Sequence, residues 1–137
     1  MKSKIPLYIL LVSFFASCAS VSPPSQLEIQ GVLNDAGEQP DNYQDILKSM
    51  WNDRLIDPYS AKYEFGNPEH GWIKNRSTSH QIRGAWIVIY SVNAKNKLGG
   101  YTGKEKHIVF FNNGRIIEET YYNLARDAFN TKWGYFY

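Results

Sequence analysis

The densest apolar positions of the chain lie between residues 83 and 122. Ala85-Trp86-Ile87-Val88-Ile89-Tyr90-Ser91-Val92 is apolar on both alternating sets, the pattern of a central strand covered on two sides. His107-Ile108-Val109-Phe110-Phe111 makes a second run, and Arg115-Ile116-Ile117-Glu118-Glu119-Thr120-Tyr121-Tyr122 a third. β-Branched and aromatic residues bounded by turn formers predict three strands in a meander. Asn113-Gly114 joins the second and third, and a tight primed turn needs positive φ at both of its central positions. The Gly- and Asn-rich stretch 93–103 predicts a wide loop between the first and second.

Upstream the period changes. Tyr43, Ile46, Leu47, Met50, Trp51 and Leu55 recur every three or four residues, with Asp45, Lys48 and Asn52 opposite. This predicts an amphipathic helix, capped by Asp41 with Gln44 three residues on and stopped before Pro58. Tyr59, Ala61, Tyr63 and Phe65 alternate with Ser60, Lys62 and Glu64, which predicts a strand with one apolar face. Trp72 and Ile73 are expected to anchor an exposed polar loop running to residue 79. Leu27, Ile29, Val32 and Leu33 give a weak signal for an edge strand. Residues 123–129 predict one or two helical turns, and Trp133, Tyr135, Phe136 and Tyr137 an exposed aromatic tail suited to a partner. The expected fold class is α+β, one amphipathic helix packed on an antiparallel sheet of about four strands, forming a single domain over 41–137.

The first 17 residues have the layout of a secretory signal: Lys2 and Lys4, an apolar run over 5–15 interrupted by Pro6 and Ser13, then Ala16-Ser17. That run is about half the ~20 residues a spanning helix needs. Phe15-Ala16-Ser17-Cys18 resembles the lipobox of bacterial lipoproteins, which implies that Cys18 becomes the lipidated first residue of the mature chain. Phe15 stands where that motif usually carries an aliphatic residue. Ala19 rather than Asp after the Cys implies, by resemblance to enterobacterial lipoproteins, the outer membrane. Residues 18–40, rich in Ser, Pro, Gln and Asn, read as a flexible tether.

A cut before Cys18 leaves 120 residues with 13 basic and 13 acidic side chains, so no nucleic-acid partner is expected. The charges are segregated along the chain. Residues 28–69 carry nine acidic and three basic side chains, and 74–115 eight basic and one acidic. The expectation is that the two segments pack together and neutralise each other, or that the charges are scattered over solvent faces; the alternative is a surface for an anionic partner.

Candidate chemistry is sparse. His70, His80 and His107 lack the spacing of a metal site and a lone Cys cannot complete one, so no metal or other cofactor is expected. Glu118 and Glu119 would point to opposite faces of a strand. An enzyme is therefore not expected; the alternative is one acting on an envelope component with His107 or His80 as base. In the loop 95–106, Lys95, Lys97 and Lys104 flank Gly99, Gly100 and Tyr101. Successive amides of a Gly-rich loop can cradle an anion, which makes these six the candidate contacts for an anionic glycan or lipid. The simpler reading is that the glycines serve the turn.

Two longer patterns, Asp57-Pro58-Tyr59-Ser60-Ala61-Lys62-Tyr63-Glu64-Phe65 and Val92-Asn93-Ala94-Lys95-Asn96-Lys97-Leu98-Gly99-Gly100-Tyr101-Thr102-Gly103, resemble the D-P-x-S-A-x-x-x-F and V-N-A-K-N-x-x-G-G-Y-T-G motifs of a group of small secreted or lipidated proteobacterial proteins. The resemblance spans roughly 43–111. Many relatives carry a Cys in the strand before the second motif, where this chain has Ile89-Tyr90-Ser91. It implies export and this fold, and supplies no catalytic residues. The function expected is that of a cell-envelope lipoprotein facing the periplasm, a non-enzymatic binding or assembly module. It would be held to the membrane by its lipid, with an envelope protein or an anionic glycan as partner.

Overall fold

The computed structural model describes residues 22–74, 81–130 and 132–136. Its elements in chain order are helices α1 (Gln26–Gly31) and α2 (Tyr43–Asn52), strands β1 (Asp57–Phe65), β2 (Glu69–Lys74), β3 (Ile82–Lys95), β4 (Glu105–Asn112) and β5 (Arg115–Tyr121), helix α3 (Tyr122–Arg126) and strand β6 (Trp133–Tyr135). The strands form one sheet in the order β5-β4-β3-β2-β6, with β1 also paired to β3. Every pairing is antiparallel. β3 has 14 residues and shares one edge between two partners: β2 lies along Ile82 to Ile87, and β1 along Tyr90 to Lys95. β4 occupies the other edge from Trp86 to Val92.

The pleat of β3 sorts its side chains into two cores. Val88, Tyr90 and Val92 meet Val109 and Phe111 beneath Leu47 and Trp51 of α2. Ala85 and Ile87 meet Ile108, Phe110 and Ile73 beneath Ala125 and Trp133. The helix presents the face its spacing predicts: Leu47 and Trp51 are buried, Tyr43, Ile46 and Met50 half-buried, and Asp45, Lys48 and Asn52 exposed. Its N-cap is Asn42 rather than Asp41, with no side-chain cap bond. The meander and the central strand form as the pattern predicts. Asn113 and Gly114 take φ of 49° and 72°, the positive pair the hairpin signal requires.

Among the described residues the sheet has six strands rather than about four, and three helices accompany it rather than one. Trp72 and Ile73, expected to anchor a loop, belong to β2 and are buried against β3. The polar loop expected after them falls on 75–80, outside the described residues. Of the expected aromatic tail, Trp133, Tyr135 and Phe136 are not exposed, and Tyr137 lies outside the described residues. Trp133 is buried, its indole N–H donates to the Ala125 carbonyl at 2.7 Å, and β6 pairs with β2. Both strands are short, so neither shows enough alternation to register as a period. Their apolar side chains find cover only once β3 is in place.

The described part of the stretch expected as a tether, 22–40, folds against the sheet. Residues 26–31 are helical rather than an edge strand, because Ser25 and Glu28 form a reciprocal capping box. The following residues strap across the edge of the helix-bearing layer. Asn112 donates to the Asp35 carbonyl at 2.7 Å, the Asn113 amide to the Ala36 carbonyl at 2.8 Å, and the Trp86 indole to the Gly37 carbonyl at 3.0 Å. Residues 1–21, with the leader and Cys18, lie outside the described residues. Arg83 to Asp35 and Lys104 to Glu64 join the basic segment to the acidic one, as the segregated charges led one to expect.

Gly84 lies under the strap, where a Cβ would run into the Val32 carbonyl oxygen and sit 2.9 Å from the Ala36 nitrogen. Gly84→Val is therefore expected to lower stability by about 1–3 kcal/mol, the usual cost of overpacking. Hydrogen exchange should quicken at 32–36 more than along β4. Unchanged exchange at 32–36 would mean that the strap is not seated there.

Candidate functional site

Two groups of side chains carry chemistry, one on each face of β3. The first lies under α2. His107 and Tyr90 project from neighbouring strands toward the helix, 5.5 Å apart between ring centroids. The Trp51 ring meets His107 edge-on at 5.0 Å, and its indole N–H donates to the Tyr90 hydroxyl at 3.0 Å. The Tyr90 hydroxyl donates in turn to Glu119 at 3.3 Å. Glu119 also takes a 2.6 Å hydrogen bond from His107 Nδ1 and a 2.9 Å bond from the Arg54 guanidinium. Because the carboxylate accepts, Nδ1 carries the proton. Nε2 is buried with no hydrogen-bond partner, and Glu105 lies 3.8 Å from it.

Burial pushes the Glu119 carboxyl up, but the hydrogen bonds from His107 and Arg54 and their charges outweigh it, and the net shift is downward. Burial above all, then the neighbouring Glu119, pushes the Tyr90 phenol well above its ordinary value. The arrangement can hold and orient a proton, but His107 is only 3% exposed and Trp51 lies against it. Among the described residues no group of three or more His, Cys, Asp or Glu side chains could hold a metal ion.

Glu118 and Glu119 do point to opposite faces; Glu118 lines a cleft on the far side of the sheet, with Phe110 and Trp133. That cleft holds about 40 Å³, room for roughly one water. Which glutamate meets His107 is decided by a bulge. At the hairpin, Asn112 pairs with Arg115 and Phe111 with Ile116; beyond the irregularity at Phe110, Val109 faces Glu119 and His107 faces Tyr121. An unshifted register would have turned Glu118 toward the histidine. Nothing in the sequence marks that bulge.

The second group surrounds the loop after β3. Asn93 and Lys95 point away from α2. Lys62 pairs with Asn93, Glu64 with Ser91, and Ser91 with Lys106, so these residues share the face. Tyr101 bridges back to Lys95 and is 43% exposed. The ammonium groups of Lys62 and Lys95 lie 4.5 and 5.6 Å from its ring centroid. Lys104 pairs with Glu64, and Lys106 lies 4.3 Å from the Tyr122 ring centroid.

Of the six expected contacts, the structure thus gathers Lys95, Tyr101 and Lys104, and adds Lys62 and Lys106. Lys97 is exposed in the turn beyond. Gly99 and Gly100 do not form an anion cradle. Asn96 Oδ1 accepts from the amides of Leu98 at 2.9 Å and Gly100 at 3.1 Å, the Asn96 carbonyl accepts from Gly99 at 3.0 Å, and Asn93 Oδ1 accepts from Gly103 at 3.1 Å. The glycine amides are consumed within the loop, so the positive charge here comes from the lysine side chains. Lys62 is distant in sequence and sits in the acidic segment, so only strand pairing reveals that it belongs.

Because Glu119 gives up its proton more readily folded than unfolded, its contribution is present above the ordinary value of 4.5 and is lost as pH falls through the lower folded value. Urea unfolding is expected to show stability falling below that range, with a shallower fall in Glu119→Gln. Glu119→Ala should cost about 3 kcal/mol at neutral pH, since it strands His107, Arg54 and the Tyr90 hydroxyl together. A loss under 0.5 kcal/mol would show that the cluster does not hold α2 to the sheet. Comparison with family models, with curated proteins and with solved structures found no match.

Proposed function

We propose that this chain is a cell-envelope lipoprotein, anchored through Cys18, whose domain acts as a binding or assembly module rather than a catalyst. The observation that carries the reading is the leader: two lysines, a short apolar run, Ala16-Ser17 and the only cysteine of the chain directly after them. A free thiol exposed in an oxidising compartment is a liability, whereas an acylated one is an anchor. The resemblance of the two internal motifs to small exported proteins supports the same reading. One acyl chain binds a membrane only marginally, so a stable anchor implies more than one. The Ala19 that follows Cys18 favours the outer membrane, with the domain in the periplasm.

A second reading is favoured by the His107–Glu119 pair, since a histidine oriented by a carboxylate is the usual form of a general base. It stands behind the first because Nε2 faces protein, and a substrate would reach it only if α2 and Trp51 moved aside. The other expected base, His80, lies outside the described residues.

The full chain expressed in a bacterium with an intact lipoprotein pathway is expected to partition with membranes, its mass showing a leader removed before Cys18 and acyl groups added. Cys18→Ser should abolish both the added mass and the partitioning. A serine variant that stays membrane-bound at unchanged mass would refute the anchor.

A further inference from the structure

The described N-terminus and the lysine-bearing loop lie at opposite ends of β3. Lys74 donates to the Ser22 carbonyl at 3.2 Å, and Lys74 pairs with Ile82, the first residue of β3. The loop leaves from Lys95, the last. Fourteen residues of strand separate the two ends by roughly 40 Å. Four residues of chain from Cys18 to Ser22 reach about 14 Å at most. If Cys18 is anchored, a premise taken from the reading above, the Ser22 end is held near the membrane and the loop end can extend roughly 40 Å beyond it.

That far end is basic and open. Lys62, Lys95, Lys104 and Lys106 share it with three carboxylates: Asp57 opposite Lys95, Glu64 beside Lys104, and Glu105, which lies opposite Val92 and faces His107. Exposed Lys97 adds a further positive charge. Around them stand side chains that no helix covers. Tyr59, in the bulged part of β1 whose Ser60 hydroxyl accepts from the Lys95 amide, is fully exposed, as is nearly all of Leu98 at the turn.

We infer that this end is a docking surface for an anionic cell-wall glycan, a sugar polymer bearing carboxylates, lying away from the anchoring membrane. Three features select that occupant. The amides of Gly99, Gly100 and Gly103 are spent on Asn96 and Asn93, so the glycines leave no cradle for one small anion, and the four ammonium groups come from β1, β3, the loop and β4, a set of separate charges that fits a repeated anion. The tether is at the other end of β3, so the loop end can reach past the anchoring leaflet's headgroups toward the wall. The charges are all lysine; protein interfaces are depleted in Lys and favour Arg. A polymer with spaced carboxylates suits separate point charges, and the uncovered Tyr59 ring offers a sugar a face to lie on.

The test sediments the full acylated chain, held in nanodiscs of neutral phosphatidylcholine, with purified protein-free peptidoglycan. Binding is expected to weaken at least tenfold between about 50 and about 300 mM salt, because exposed charges are screened over that range. The fourfold variant Lys62→Gln, Lys95→Gln, Lys104→Gln and Lys106→Gln should lose it to the same degree while its melting temperature holds, and arginine at the same four positions should restore it. Tyr59→Ala alone should weaken binding several-fold. Retention unchanged in the fourfold glutamine variant, or indifferent to salt, would overturn the inference. Preference for phosphatidylglycerol vesicles, or for an acidic polypeptide over the glycan, would overturn it as well. The acyl mass on Cys18 is read separately, so the anchor and the glycan surface can fail independently.

Discussion

One strand edge shared by two partners constrains the whole fold. β2 and β1 are consecutive in sequence and lie end to end along β3, which must therefore run long enough to serve both. A long strand with regular alternation exposes two apolar stripes to water unless both faces are covered. α2 covers one; α3 and the Trp133 side chain cover the other, and the two cores follow from that division. The chain needs no disulfide at this size to bury a sizeable core.

The helix is seated by more than apolar contact. Trp51 and Arg54 reach into the sheet through polar atoms, and Tyr90, His107 and Glu119 receive them. Apolar packing alone tolerates sliding and re-registering, whereas a hydrogen-bond network beneath a helix admits few positions. The same network explains why ionisable side chains occupy strand positions that otherwise belong to the core. His107 stands in line with Val109 and Phe111, and its Nδ1 is satisfied only because Glu119 turns inward with it.

The basic end of the sheet has a different logic. Its loop is rigidified from within by Asn93 and Asn96, and the lysines around it are held over tyrosine rings or against Glu64. Ordering long side chains in this way lowers the entropy lost when a partner arrives. The acidic segment contributes Lys62 to this end and Glu64 to its neutralisation, so charge counted along the chain is a poor guide to charge on the surface.

Local pattern was enough for the elements whose evidence is contained within them. The period of α2, the two-sided apolar run of β3 and the Asn113-Gly114 turn each specify their own conformation through contacts a few residues apart. The bonds from the loop glycine amides to the side chains of Asn93 and Asn96 are local too, and were legible as turn chemistry. What the tertiary structure alone decided are the long-range pairings. Two strands of few residues became strands because an edge was waiting for them. The segment 22–40 became part of the domain because Gly84, Trp86 and Asn112 offer it a seat. A bulge at Ile117, opposite the step from Phe111 to Phe110, chose Glu119 over Glu118. In each case the deciding energy lies between residues far apart in sequence, and no periodicity along the chain records it.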